Sequence, residues 1–247
     1  MSEVLASTDS QILTLTLNRP EKQNAITRDM YQTLANAINE ANGDFGVRAV
    51  LITSSSQHFT SGNDLFDFLN TPPLEEGSPV MNFLGAIHNL SKPLLAAVSG
   101  NAVGIGTTML FHCDVVVAAP TTKFSMPFVN LGLVPEAGSS LLFPRLVGHQ
   151  RASKVFLTGE PFSPSEALEM GLIAEVSDNP IDSARAIALK IAAQPPNAVI
   201  QTKALIKSEL HDKVSAVMRA EGELFQMALQ SDEAREAFMD FLSKKNK

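Results

Sequence analysis

The chain has 247 residues, 45% of them apolar, and a net charge of −7. This size suits one large domain with a sizeable core. The acidic balance, the single Tyr and the lack of Trp argue against a general nucleic-acid binder, which needs basic and aromatic surface. One cysteine, Cys113, excludes an intrachain disulfide and a multi-cysteine zinc site, and no apolar run is long enough to span a membrane. The N-terminal MSEVLASTDS has no basic stretch leading into an apolar one, so a soluble, cytoplasmic protein without membrane insertion is expected.

From Gln11 to Leu17 polar and apolar residues alternate, with Leu13, Leu15 and Leu17 on one face, which predicts a strand. Thr27 is placed to cap a helix to about Ala41, with Met30, Leu34, Ala37 and Ile38 inward. Ala49–Thr53 reads as a strand, Ser54–Asn63 as a polar loop and Pro79–Asn89 as a helix. Leu94–Val98 is a buried strand, and helical spacing resumes over Thr107–His112 after Gly100, Gly104 and Gly106. Asp114–Ala118 is a further strand, and after about Gly138 the strand signal fades. Helices are predicted near 139–143, 151–157, 163–170, 181–193, 197–210, 212–230 and 231–243. Alternating strands and helices predict an α/β fold with a largely parallel sheet. Residues 1–190 form the expected core and 191–247 a helical C-terminal region.

A strand that enters a helix through a glycine turn aims free N–H groups at one point, which suits a bound anion or a developing oxyanion. A dinucleotide fingerprint fails, because its third glycine position is Met109, and no Gly-Lys-Ser/Thr follows for a P-loop. Glycines that serve only tight strand–helix packing remain an alternative. Glu136 has almost wholly apolar neighbours, Leu131-Gly132-Leu133-Val134-Pro135 and Ala137-Gly138. Partial desolvation there raises a carboxyl pKa and makes a better base. The alternative is a glutamate set against the dipole of the following helix. Cys113 reads as a core residue, His58 and His112 as structural or surface residues, and no G-x-S-x-G elbow is present.

Three segments combine: Leu17-Asn18-Arg19-Pro20-Glu21-Lys22-Gln23-Asn24-Ala25-Ile26, Phe59-Thr60-Ser61-Gly62-Asn63-Asp64-Leu65, and the glycine turn with Phe124 to Gly138. Their ordered set resembles the crotonase superfamily of enoyl-CoA hydratases and isomerases. The resemblance implies a spiral of ββα units with a helical C-terminal trimerisation region, and a homotrimer or hexamer. It implies an acyl-CoA thioester substrate whose carbonyl lies between the backbone N–H groups of Asn63 and Ile105. A β-branched residue at 105 requires a backbone angle that suits it. The resemblance also assigns substrate or CoA contacts to Ser61, Gly62, Asp64, Leu65, Gly104, Phe128 and the backbone of Ala25, and to Phe241 and Lys244 on a neighbouring subunit's CoA. Lys22 reads either as a basic group near the CoA phosphates or as a solvated turn lysine. Asp64 reads first as a loop or helix-start residue.

Hydratases of this superfamily hold a water between two glutamates, at positions occupied here by Thr108 and Phe128. Both carboxylates are missing, while Glu136 matches the catalytic glutamate of the Δ3,Δ2-enoyl-CoA isomerase branch. The resemblance thus implies an isomerase of fatty-acid β-oxidation with one glutamate as acid and base, no metal, and no cofactor beyond the coenzyme A of the substrate. A hydratase or other acyl-CoA enzyme working with Glu136 alone, and a non-catalytic acyl-CoA binder, are the alternatives. Acyl-chain selection is expected to depend on Phe66 to Ile87.

Overall fold

The strands are β1 (Val4–Asp9), β2 (Ile12–Leu17), β3 (Ala49–Ser54), β4 (Leu94–Val98), β5 (Asn101–Val103), β6 (Val115–Ala118), β7 (Lys123–Ser125) and β8 (Glu175–Val176) in this computed structural model. It describes residues 2–70 and 77–245, except for the side chains of 68–70, 241, 242, 244 and 245. Six strands form one sheet in the order β1-β2-β3-β4-β6-β8, and only the β1–β2 pair is antiparallel. β5 and β7 form a separate parallel pair.

Side chains of a strand alternate between faces, and here the two faces are both apolar. Leu13, Leu15, Leu17, Val50, Ile52, Leu94, Ala96 and Val98 face the larger core. Two helices close that side: α1 (Arg28–Gly43) with Tyr31, Leu34 and Ile38, and, beyond the short α2 (Leu65–Asn70), α3 (Pro79–Asn89) with Phe83 and Ile87. Ile12, Ala49, Leu51, Leu95, Ala97 and Val117 face the other way. After α4 (Ile105–Thr108), α5 (Ser139–Val147), α6 (His149–Thr158) and α7 (Pro164–Glu169), α8 (Pro180–Ala192) covers that second face through Ala184 and Ala188. Alanines let the helix lie close to the sheet. The chain ends with α9 (Pro196–Lys207), α10 (His211–Leu229) and α11 (Asp232–Lys245). Among the described residues, no helix is long and apolar enough to cross a membrane.

The structure corrects the sequence reading at four places. Gln11 belongs to a hairpin turn, not to β2: Ser10 and Gln11 have φ of 51° and 65°. Such two-residue turns favour Asn-Gly, so Ser-Gln hides the hairpin, and β1 is exposed beyond Val4 and carries no apolar stripe. β5 intervenes between Gly100 and Gly104, so the chain passes through two strands before its glycine turn enters a helix. That helix begins at Ile105 rather than Thr107, and a 3₁₀ turn, Met109–His112, completes it. β8 lies beyond Gly138, where no strand was expected; with two residues it is too short to show a period.

Candidate active site

Thr60 is the joint between two segments. Its N–H donates to Asn101 O at 3.0 Å, and its carbonyl accepts from Val103 N–H at 3.1 Å. Its hydroxyl donates to Asn24 O at 2.6 Å and accepts from Gly62 N–H at 3.0 Å. Residues 61–63 and 103–105 therefore leave the joint side by side. Gly62 has φ +91°, and a Cβ there would lie 2.9 Å from Val103 O, so only glycine fits. On the other side, Ile26 N–H donates to Gly62 O at 2.8 Å and Asp64 N–H donates to Ile26 O at 2.9 Å. Asn63 is thus pinned through its neighbours, and its own N–H has no acceptor among the described residues.

The second N–H arises from the helix end. Ile105 is the first residue of α4, where an N–H has no partner within the helix. Gly104 before it has φ 56° and ψ −117°, a region open to glycine alone, and a Cβ on it would meet nothing within 4 Å. The turn therefore borders open space. Ile105 is not among the residues with positive φ, so the angle suits its β-branched side chain. Tyr31, reaching from α1, donates its hydroxyl to Asn63 Oδ1 and holds that side chain.

Glu136 is 5% exposed and precedes α5. Its Oε1 accepts a hydrogen bond from the Thr108 hydroxyl on α4. Burial pushes its carboxyl up to about 8, against the Thr108 hydrogen bond and with a further upward push from the Glu221 carboxylate. Burial, and then Glu136, hold the Tyr31 hydroxyl well above its ordinary range, so Tyr31 remains a neutral donor. The dipole alternative for Glu136 is answered by the cap that α5 already has. Glu221, from α10, accepts from Gly138 N–H at 2.6 Å and Ser140 N–H at 2.9 Å. Only the backbone carbonyl of Glu136 joins the helix start, accepting from Ser139 N–H at 3.1 Å.

The other residues singled out from sequence divide. Ser61 and Gly62 border Asn63, Ser61 N–H donating to Gln23 O at 2.9 Å; Leu65 begins α2. Lys22 is exposed at the end of a 3₁₀ turn. Ala25 donates its N–H to Lys22 O and accepts from Arg19 Nη1, both at 3.0 Å. The Asp64 carboxylate pairs with Arg19 at 2.6 Å and accepts from Phe66 N–H and Asp67 N–H at the start of α2. Burial opposes ionisation of Asp64, but the Arg19 and backbone hydrogen bonds prevail and hold its pKa down. Its contacts are those of a structural anchor. Phe128 is buried, with its ring edge-on to Phe225 at 6.5 Å. Phe241 and Lys244 have side chains outside the described residues, and the segment expected to select the acyl chain includes residues 71–76, also outside them. His58 accepts from Asn101 N–H at 3.1 Å, and Cys113 is held up to about 12 by burial, so both are structural.

Sequence reasoning missed Tyr31 and Glu221. Tyr31 is the only tyrosine and lies on the inward face of α1. Glu221 falls in register with Val214, Met218 and Phe225, a carboxylate on the buried stripe of α10. Those two signals were available in the sequence.

Comparison with known proteins decides the family. The family model described as Enoyl-CoA hydratase/isomerase matches residues 7–247. The chain belongs to this family. It is 34% identical to human enoyl-CoA delta isomerase 2 over 99% of its own length, and it spans 64% of that relative. It is 31% identical to 2,3-dehydroadipyl-CoA hydratase of Escherichia coli, covering 99% of this chain and 97% of the relative. Among solved structures, Pseudomonas aeruginosa OdaA superposes with a TM-score of 0.95 at 43% identity, covering 98% of this chain and 99% of the other. An enoyl-CoA hydratase/isomerase from Pseudoalteromonas atlantica gives 0.94 at 40% identity and 98% coverage of both chains. The fold is therefore the crotonase fold expected from the three motifs.

Proposed function

We propose that the protein is a Δ3,Δ2-enoyl-CoA isomerase. The observation that carries this reading is the buried carboxylate of Glu136, hydrogen-bonded by Thr108 where a hydratase would carry its own glutamate. In the proposed reaction the thioester carbonyl accepts hydrogen bonds from Asn63 N–H and Ile105 N–H. Glu136 removes a proton from C2 of the 3-enoyl thioester. Electrons move into the carbonyl, and the dienolate oxygen is held by the two N–H groups. The same carboxyl then returns the proton at C4, which leaves the double bond between C2 and C3. One group with a pKa near the working pH serves both steps, and burial supplies that pKa.

Hydration is the second reading, favoured by the hydratase relative of comparable identity. It requires one group to activate water and another to deliver a proton. Glu136 would have to do both, since Phe128 packs against Phe225 where the second carboxylate is wanted. Purified protein assayed with 3-hexenoyl-CoA and crotonyl-CoA separates the two. The expected result is formation of trans-2-hexenoyl-CoA, with much slower hydration of crotonyl-CoA. Rapid hydration without double-bond migration would overturn the isomerase reading.

A further inference from the structure

Two buried side chains that the proposed reaction does not use grip the turn carrying Glu136. Ala137 has φ +63°, an unfavourable angle for a residue with a Cβ, and is buried. Its carbonyl accepts from His112 Nε2 at 2.7 Å, which makes Nε2 the protonated nitrogen of that ring. Burial drives the His112 pKa down to about 3, so the ring is neutral and its tautomer is set by this bond. On the other side lies Glu221, 6% exposed, from a helix far along the chain. One oxygen takes Gly138 N–H at 2.6 Å and the other takes Ser140 N–H at 2.9 Å. α10 itself lies against the turn: a Cβ on Gly138 would meet Val214 Cγ1 at 3.0 Å and Met218 Cγ at 3.4 Å.

A buried carboxylate is a costly way to cap a helix end that a Ser or Asp at the N-cap would satisfy locally. Gly138, with φ +73°, occupies that N-cap and has no side chain to offer. The two bonds from Glu221 flank Ser139 and begin two residues after Glu136, so they fix the peptide units that set where the Glu136 side chain starts.

We propose that Glu221 is a positioning residue for the reaction: its carboxylate clamps the first turn of α5 and thereby aims Glu136 at Thr108 and the oxyanion-binding N–H groups. The inference rests on Glu136 being the base. The groups that face Glu136 are Tyr31 from α1, Thr108 from α4 and Glu221 from α10, with neutral His112 behind Ala137. Glu221 is the only other carboxylate among them; burial raises its own pKa, and the hydrogen bonds from Ser140 and Gly138 favour its charged form. It therefore affects the reaction in two ways, by placing the base and by raising its pKa.

Glu221→Gln tests both. A carboxamide offers one acceptor oxygen, so one of the two N–H groups then faces an NH₂. In folded protein kcat should fall at least about tenfold, because a base displaced by part of an ångström loses its approach geometry. KM should change little, and the acid limb of kcat/KM should move to lower pH. Glu221→Asp keeps the charge but draws it back by one methylene. It should lower kcat without moving the limb, and it decides the matter if the Gln variant does not fold. A folded variant with lowered thermal stability but unchanged kcat and unchanged acid limb would make Glu221 a helix cap only. Glu136→Gln, run in parallel, separates the two levels. If it retains activity, both the base assignment and the positioning role fall. If it is inactive while the Glu221 variants match the wild type, only the positioning role falls.

Discussion

At the scale of single residues, the proposed chemistry depends on how burial and one hydroxyl set the proton affinity of Glu136. Burial raises it and the Thr108 hydrogen bond lowers it, with a resulting pKa of about 8. As the proposed base it must be ionised in the free enzyme, so kcat/KM should be fully present above that value and be lost as the pH falls through it. Thr108→Val keeps the shape and removes the donor. The acid limb should then move to higher pH, and pH–rate profiles of the two proteins check this. A limb that stays in place would remove Thr108 from the account. Glu136 was legible in the sequence because its surroundings are local: the apolar residues on both sides announce a desolvated carboxyl. Glu221 was legible only as a carboxylate on the buried stripe of its helix; its partners lie 83 and 81 residues away, and only the fold brings them together.

At the scale of elements, the site is a contact between two turns that must approach closely. Gly62 meets Val103 O, and Gly106 inside α4 faces Thr60, where an added Cβ would lie 2.5 Å from Cγ2. Thr60 is fully buried and hydrogen-bonded through its hydroxyl, so it cannot turn away cheaply. Alanine at 106 favours the helix itself, which leaves the clash as the main effect. Gly106→Ala should destabilise the protein by roughly 1–3 kcal/mol, as overpacking does, and should lower kcat by forcing the two N–H donors apart. Thermal melts and steady-state kinetics check both, and an unchanged kcat would mean that the two turns are not held by Thr60. The long helices and the buried strands β3 and β4 were legible because their periods extend over enough residues. β5, which leads into the Gly104 turn, and β7, whose Ser125 carbonyl accepts from Gly104 N–H at 2.9 Å, have three residues each and are held by pairing rather than by pattern.

The whole molecule carries apolar surface on its C-terminal helices. Leu205 and Ile206 on α9, Leu224 and Met227 on α10, and Met239 on α11 are all more than half exposed. Their spacing reads as helical, but which faces stay uncovered depends on how the helices dock, and that is not written in the period. Surface of this kind suits contact between copies of the chain. With the family resemblance it leads us to expect a trimer or hexamer, which light scattering would report as three or six times 26.5 kDa. A 26.5 kDa species at working concentration would contradict this expectation.

All three scales meet in one claim, that a single buried glutamate moves the proton. Glu136→Gln retains the size and the Thr108 contact but cannot accept the proton. Loss of a positioned general base costs roughly 10²–10⁴-fold. With 3-hexenoyl-CoA, kcat for double-bond migration should therefore fall at least about a hundredfold while the acyl-CoA still binds. A folded Glu136→Gln protein that isomerises 3-hexenoyl-CoA at the wild-type rate would contradict the claim.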